Sequence, residues 1–396
     1  MNKRIKELIN KYSNLVVEYR RDIHKHPELS RMETRTAALV ADVLEGLNIK
    51  TLLNVGGTGV VGILEGNSNN RVIALRADMD ALPIQEKTGL PFSSVNEGVM
   101  HACGHDMHTA ILLGCAHVLS ELKEQINGTV KFVFQPAEED NPTGGAPGMI
   151  KEEVLENPKV DAIVSLHVWP KLETGYAGIK AGPMTASSDR IFITIKGKSS
   201  HGSAPEEGID AVVIAANVIS ALQTIVSRNI GPLESSVISI GKLNGGYRYN
   251  IIADRIDMEG TVRNLDPKIR NSMPERIEKL VKGITEAMGG GYEFKYVKGY
   301  PPTVNEKNLT KIVYSAMRKV LNEKAVIPER ASLGGEDFAF FSEKLPSAYI
   351  WLGCRPSGLS VEETPPLHNN RFNPDEKALT IGMEILISTV FEYLSG

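Results

Sequence analysis

Apolar residues fall into two rhythms along this chain. The first segment, up to Pro27, has helical spacing, and a second helix is predicted to start at Ser30, where Glu33 three residues on completes a capping box. Leu39, Val40, Val43, Leu44 and Leu47 give that helix one buried stripe. After Gly56-Gly57-Thr58-Gly59 comes a short strand, Val60 to Leu64, and Asn69-Asn70 is read as the turn into Val72-Ile73-Ala74-Leu75. That unbroken apolar run predicts a strand covered on both faces. It ends in Arg76-Ala77-Asp78-Met79-Asp80, so two carboxylates lie at the carboxyl end of a buried strand, where open α/β sheets place ligands. Taken singly, either aspartate reads equally as a turn or helix cap.

A helix from Thr109 to Leu122 follows, with Ile111, Leu112, Cys115, Val118, Leu119 and Leu122 on one face, so Cys115 reads as core. Val130 to Phe134 is the next strand. It stops at Gln135-Pro136-Ala137, just before Glu138-Glu139-Asp140. Neighbours on a strand point to opposite faces, so the two glutamates share a site only if they lie past the strand end. A short helix near Met149 to Leu155 leads to the strand Val160 to Leu166, with His167 at its carboxyl end.

The character changes near Ala186. Alternating Ile191, Ile193 and Ile195, a helix from Ile209 to Val226, strands Val237 to Leu243 and Ile251 to Val262, a helix from Lys268 to Met288 and a strand Tyr292 to Val297 give the order β-α-β-β-α-β. This is the ferredoxin-like arrangement. The chain is therefore read as α/β, with a discontinuous catalytic domain (1–185 and 300–396) in which helices flank a mixed sheet. An α+β ferredoxin-like lid, 186–299, is inserted into it. The closing helix is placed at Pro374 to Leu394.

Composition narrows the function classes. The net charge is −4 with both signs interspersed, which excludes a basic nucleic-acid patch and a cationic membrane-surface helix. The N-terminal segment is too charged for a secretion signal, and no apolar run is read as long enough to span a bilayer. The three cysteines, Cys103, Cys115 and Cys354, are odd in number and far apart, which fits a reducing cytoplasm and not a disulfide framework.

The chemistry centres on Met100-His101-Ala102-Cys103-Gly104-His105-Asp106-Met107-His108, where a thiol, three imidazoles and a carboxylate are crowded together. Alone, this stretch reads equally as a polar helix start with one buried cysteine. The other strand ends break the tie. Cys103, His105, Glu139, His167 and His368 offer more N, S and O donors than one tetrahedral zinc takes, and they suit two cations sharing a bridge. Two such ions polarise a carbonyl and acidify a water, and Glu138 beside them is placed to act as general base.

The motifs RRDIHKHPEL, RADMDALPIQE, MHACGHDMHTA, FQPAEE, LHVWP, HGSAP, NIIAD, EGTVR, GGEDFAFF and LHNNRF run in order through nearly the whole chain. In them the sequence resembles the amidohydrolase branch of the zinc carboxypeptidase/aminoacylase family, which holds hippurate hydrolases, N-acyl-amino-acid hydrolases and auxin-conjugate hydrolases. The resemblance implies metal binding by Cys103, His105, Glu139, His167 and His368, with Glu138 as catalytic acid/base and Asp80 orienting the ligands. Relatives outside the branch carry histidine at the position of Asp78 and aspartate at that of Cys103. It further implies a hydrolase-like catalytic domain and a lid that forms a homodimer, with a tetramer as the larger alternative. His201 in the lid is then expected to reach a partner's active site and stabilise the oxyanion. Asn250 and Arg263 are expected to meet the substrate carboxylate. Two positions depart from the family pattern: Glu206 follows Pro205 where a histidine is common, and Gly335 replaces the serine before Glu336-Asp337-Phe338.

The expected function is hydrolysis of N-acyl-L-amino acids, with two divalent ions (Zn, Mn, Co or Ni) as cofactors and a small molecule as substrate. The rival enzymes are a dipeptidase or carboxypeptidase, an N-acetyl-diaminopimelate-type deacetylase, and an amidase that uses Cys103 as nucleophile. The non-enzyme rival is a metal-binding scaffold.

Overall fold

The computed structural model describes residues 2–68 and 71–395; the predicted turn at Asn69-Asn70 lies outside them. The chain forms two compact units. The first comprises Met1–Met184, Thr303–Arg330 and Asp337–Gly396, and the second Thr185–Pro302 with Ala331–Glu336. The sequence reading leaves 331–336 with the catalytic domain, but this segment groups with the second unit. Its Gly334 carbonyl accepts from the Ala186 amide at 3.0 Å.

In the first unit the sheet runs Lys50–Val55, Gly59–Glu65, Thr129–Gln135, Val72–Asp78, Ala162–Glu173, Ser347–Arg355, Ala177–Gly178 and Ala325–Val326. The middle of the sheet is parallel: Val72–Asp78 pairs in this sense with Thr129–Gln135 and Ala162–Glu173, and the latter with Ser347–Arg355. The two-residue period sorts side chains to two cores. Ile73, Leu75, Phe132, Phe134, Val164 and Leu166 pack with helices Asn2–Lys25, His105–Glu121 and Lys377–Ser395. Val72, Ala74, Val133, Ile163 and Trp351 pack on the other side with Met149, Phe338 and Phe341.

The second unit has a four-stranded antiparallel sheet ordered Gly291–Tyr300, Ser188–Lys196, Arg255–Asn264, Ser236–Gly245. Ile191, Ile193 and Ile195 pack there against helices Ala211–Asn229 and Pro267–Ala287.

Three expectations are corrected. The capping box does not form. The second helix is Thr34–Gly46, its N-cap Glu33 makes no capping hydrogen bond, and its free amides at Arg35 and Thr36 donate to the Glu28 carboxylate. Ser30 and Glu33 turn instead toward the functional site described below. His167 is not at a strand end, because Ala162–Glu173 runs on past it. The neighbouring Val72–Asp78 pairs only as far as Ser165, so His167 overhangs that neighbour. Finally, Ala211–Asn229 and Lys377–Ser395 are long and apolar enough by composition to span a bilayer. Ile214, Val218, Leu222 and Ile225 of the first, and Leu379, Met383, Leu386 and Val390 of the second, are buried in their own units' cores.

Candidate metal centre

The donors arrive from four separate segments of the first unit. Gly104 has a left-handed backbone, φ 91°, and starts helix His105–Glu121. That turn lets Cys103 and His105 face one point. A Cβ at Gly104 would lie 2.3 Å from Val168 Cγ2, so only glycine fits there. Gly104→Ala is expected to cost about 1–3 kcal/mol from strain alone and to lower bound-metal stoichiometry, read by denaturant unfolding and elemental analysis.

The two glutamates are brought together by Ala137, whose φ of 56° ends the strand geometry after Thr129–Gln135. Glu33 holds this turn: its carboxylate accepts from the Ala137 amide at 2.8 Å and from Thr58 Oγ1 at 2.5 Å. Asp80 is fully buried. Its Oδ2 accepts from Ser30 Oγ at 2.6 Å and from the Glu139 amide at 2.9 Å. The His105 ring donates through Nδ1 to the Asp80 main-chain oxygen at 2.9 Å, which aims Nε2 inward.

The donor atoms of Cys103, His105 and His167 all lie within 4.8 Å of one another, and so do those of Cys103, Glu139 and His368, and of His105, Glu138 and Glu139. Cys103 Sγ is 3.4 Å from His167 Nε2. His368 Nε2 approaches Glu139 Oε1 at 3.1 Å, on a residue with φ 63°. His105 Nε2 is buried and has no hydrogen-bond partner among the described residues, and the buried Glu139 Oε1 has only the His368 ring beside it. Such atoms are costly unless something binds them.

The electrostatics call for positive charge at this point. Burial opposes a proton on His105, yet the carboxylates of Asp78, Asp80 and Glu139 raise it to about 10. Burial, then the charges of Glu139, Glu138 and Asp78, push the Cys103 thiol well up. Without a cation it is therefore a poor nucleophile. Burial and the neighbouring His108 hold His167 well below the usual histidine range, so its ring is neutral. Its Nδ1 donates to the Val168 carbonyl at 2.7 Å, which leaves the Nε2 lone pair facing Cys103 Sγ. A neutral imidazole at His167, an imidazole at His105 whose excess proton a cation would displace, a carboxylate, and a thiol that only a cation would ionise form a donor set suited to divalent metal.

One supporting chain was not read from sequence. The Val168 amide donates to His108 Nε2 at 2.9 Å, so the His108 proton is on Nδ1, which donates to Asp78 Oδ1 at 2.6 Å. Arg76 in turn donates to Asp78 Oδ2 at 2.7 Å. The guanidinium makes Asp78 a poor cation ligand, although Asp78, His105 and His108 are also close enough to form a triad. The signal in sequence was Arg76 itself, since an arginine inside a buried strand requires an acid.

The other three predicted residues belong to the second unit. The Ser203 amide donates to His201 Nδ1 at 3.1 Å, so a neutral His201 ring carries its proton on Nε2. Asn250 is distant in sequence but beside it in the fold, its carbonyl accepting from the Gly202 amide at 2.9 Å. Its Oδ1 is buried and has no partner among the described residues. Arg263 is half-buried, and its Nη1 donates to Thr261 Oγ1 at 2.5 Å.

Comparison with known proteins gives the family. The family described as peptidase family M20/M25/M40 matches residues 74–392. The chain belongs to the M20 peptidase family. An N-acyl-L-amino acid amidohydrolase of Geobacillus stearothermophilus is 45% identical over 301 residues, covering 76% of this chain and 80% of the relative. An N-acetylcysteine deacetylase of Bacillus subtilis (strain 168) is 40% identical over 371 residues, covering 93% and 94%. A solved Bacillus subtilis structure described as a dinuclear metal-binding peptidase of the M20 family superposes with a TM-score of 0.85 at 36% identity, over 98% of this chain and 99% of that one. This M20 protein is a metal-dependent hydrolase acting on amides.

Proposed function

We propose that this M20 enzyme hydrolyses N-acyl-L-amino acids to a carboxylate and a free amino acid, with Glu138 as the proton carrier. The supporting observation is the convergence of Cys103, His105, Glu139, His167 and His368 around the buried, unpartnered His105 Nε2, with Glu138 Oε2 4.0 Å from it. A pair of divalent cations (Zn, Mn, Co or Ni) held by these five residues would polarise the amide carbonyl and acidify a water. Glu138 takes the proton from the attacking water and returns it to the departing amine nitrogen. Asp80 fixes the orientation of His105 and the backbone of Glu139. Domain 186–299 acts as lid and dimerisation surface, Asn250 and Arg263 hold the substrate carboxylate, and His201 of the partner subunit donates its Nε2 proton to the oxyanion.

A deacetylase of small N-acetyl substrates is the second reading, favoured by the likeness to the N-acetylcysteine deacetylase. The test is a panel of N-acyl-amino acids, N-acetyl-amino acids and dipeptides run on metal-reconstituted enzyme, before and after EDTA. The expected result is turnover of N-acyl-amino acids above dipeptides, abolished by EDTA and restored by metal. Activity that survives chelation would return the role of nucleophile to Cys103, and dipeptides as the fastest substrates would make the enzyme a peptidase.

A further inference from the structure

Two residues that carry a Cβ hold left-handed backbone close to the donors, Arg31 at φ 68° and Ala137 at φ 56°. One carboxylate oxygen joins them. Glu33 Oε1 accepts from the Arg31 amide at 2.9 Å and from the Ala137 amide at 2.8 Å. Its Oε2 accepts from Thr58 Oγ1, in the turn between strands Lys50–Val55 and Gly59–Glu65. Glu33 is fully buried and is not one of the proposed donors. The Arg31 side chain reaches the same loop from outside, donating to Asp140 Oδ2 at 2.7 Å and to the Gly144 carbonyl at 3.2 Å.

We propose that Glu33 is a positioning residue for the hydrolysis: it keeps Ala137 left-handed, and through that turn it sets Glu139 for metal binding and Glu138 for proton transfer. The inference rests on the roles given above to those two glutamates and adds the group that fixes both. With Ala137 extended, the strand Thr129–Gln135 would run on and turn Glu138 and Glu139 to opposite faces. Instead the donor atoms of His105, Glu138 and Glu139 lie within 4.8 Å of one another.

Two costs of this turn fall on Glu33. Left-handed backbone is unfavourable for alanine, and the amide of the buried Ala137 would be orphaned without an acceptor. The Arg31–Asp140 ion pair contributes less, because both side chains are about half exposed, where such pairs are weak.

The test is a double-mutant cycle, read by Mn²⁺ titration of the metal-free protein and by kcat on an N-acyl-amino acid. Glu33→Ala is expected to weaken Mn²⁺ binding and to lower kcat by about 10–100-fold each, the usual effect of removing a group that orients a ligand. Glycine takes the conformation of Ala137 without strain. In the Ala137→Gly background the same change at Glu33 should therefore cost at least about threefold less in both readouts. Glu33→Gln keeps an acceptor at Oε1 and should recover most of the loss. Glu33→Asp keeps the charge but falls one methylene short of the Ala137 amide; it should lose nearly as much as the alanine variant, and it carries the cycle if that variant does not fold. Equal losses in the two backgrounds would mean that Glu33 supports the fold at large and not this turn. Aspartate outperforming glutamine would mean that charge matters and reach does not. Either result overturns the proposal. Failure of the proposed reaction looks different: the wild type turns over no N-acyl-amino acid, and the Mn²⁺ arm alone then decides the role of Glu33.

Discussion

Glu138→Gln is expected to lower kcat by about 10²–10⁴-fold while metal content stays at the wild-type level. The substitution keeps the shape of the side chain and its ability to accept from the Asp337 amide, which lies 3.4 Å from Oε1. It removes only the capacity to carry a proton. A loss in kcat with KM little changed is the signature of an interaction made in the transition state alone. Elemental analysis separates this from the other role its position allows, since Glu138 also lies within ligand range of His105 and Glu139. If metal is lost in proportion to activity, Glu138 is a ligand and the proton carrier must be sought elsewhere. Full activity in the variant would end its assignment altogether.

The sequence made the donors legible because chemistry and periodicity coincide at them. Strands such as Val72–Asp78 and Thr129–Gln135 are continuous apolar runs that stop abruptly, and the polar residues just past each stop converge because parallel strands end on one edge of the sheet. What pattern reading missed has a common physical cause: the partner is distant in sequence. Ser30 and Glu33 have capping-box spacing, yet Asp80 and the Ala137 turn claim their side chains. No local rule can register that competition. The strand Lys50–Val55 escaped notice because an edge strand with mostly exposed side chains shows no alternation. The strand around His167 is read as ending there, but Ser347–Arg355 pairs with it beyond His167 as far as Glu173. Arg20 and His24 are the sharpest case. They sit in a charged helix whose polar residues look solvated, and both are fully buried.

Those two residues carry the largest stability effect expected away from the donor atoms. Arg20→Met should destabilise the protein by about 3–5 kcal/mol, the usual consequence of removing one partner from a buried ion pair. Arg20 Nε donates to Asp106 Oδ2 at 2.9 Å and Nη1 to Glu376 Oε1 at 3.1 Å, with the guanidinium 4.7 Å over the Phe92 ring. His24 Nδ1 meets the same Asp106 oxygen at 2.8 Å, and its Nε2 reaches Glu86 at 3.3 Å. Burial works against the charge on Asp106, but Arg20 and then His24 hold its carboxyl far below the ordinary range. Glu86 is likewise held at about 2 against burial, chiefly by its hydrogen bond to His24. Carboxylates with depressed values stabilise the fold above their unfolded pKa and lose that contribution as pH falls through the folded value. For Glu86 that window runs from about 4.5 down to about 2. Methionine at position 20 would leave Asp106 charged against a smaller positive field, so stability at neutral pH should fall and the acid loss should begin at higher pH. Asp106 lies in the first turn of the helix that begins with His105, so its displacement should also weaken metal binding. Urea midpoints between pH 3 and 8 for wild type and variant decide the matter. An unchanged midpoint at pH 7 would mean that the buried pair only offsets its own desolvation and that packing against Phe92 holds this helix in place.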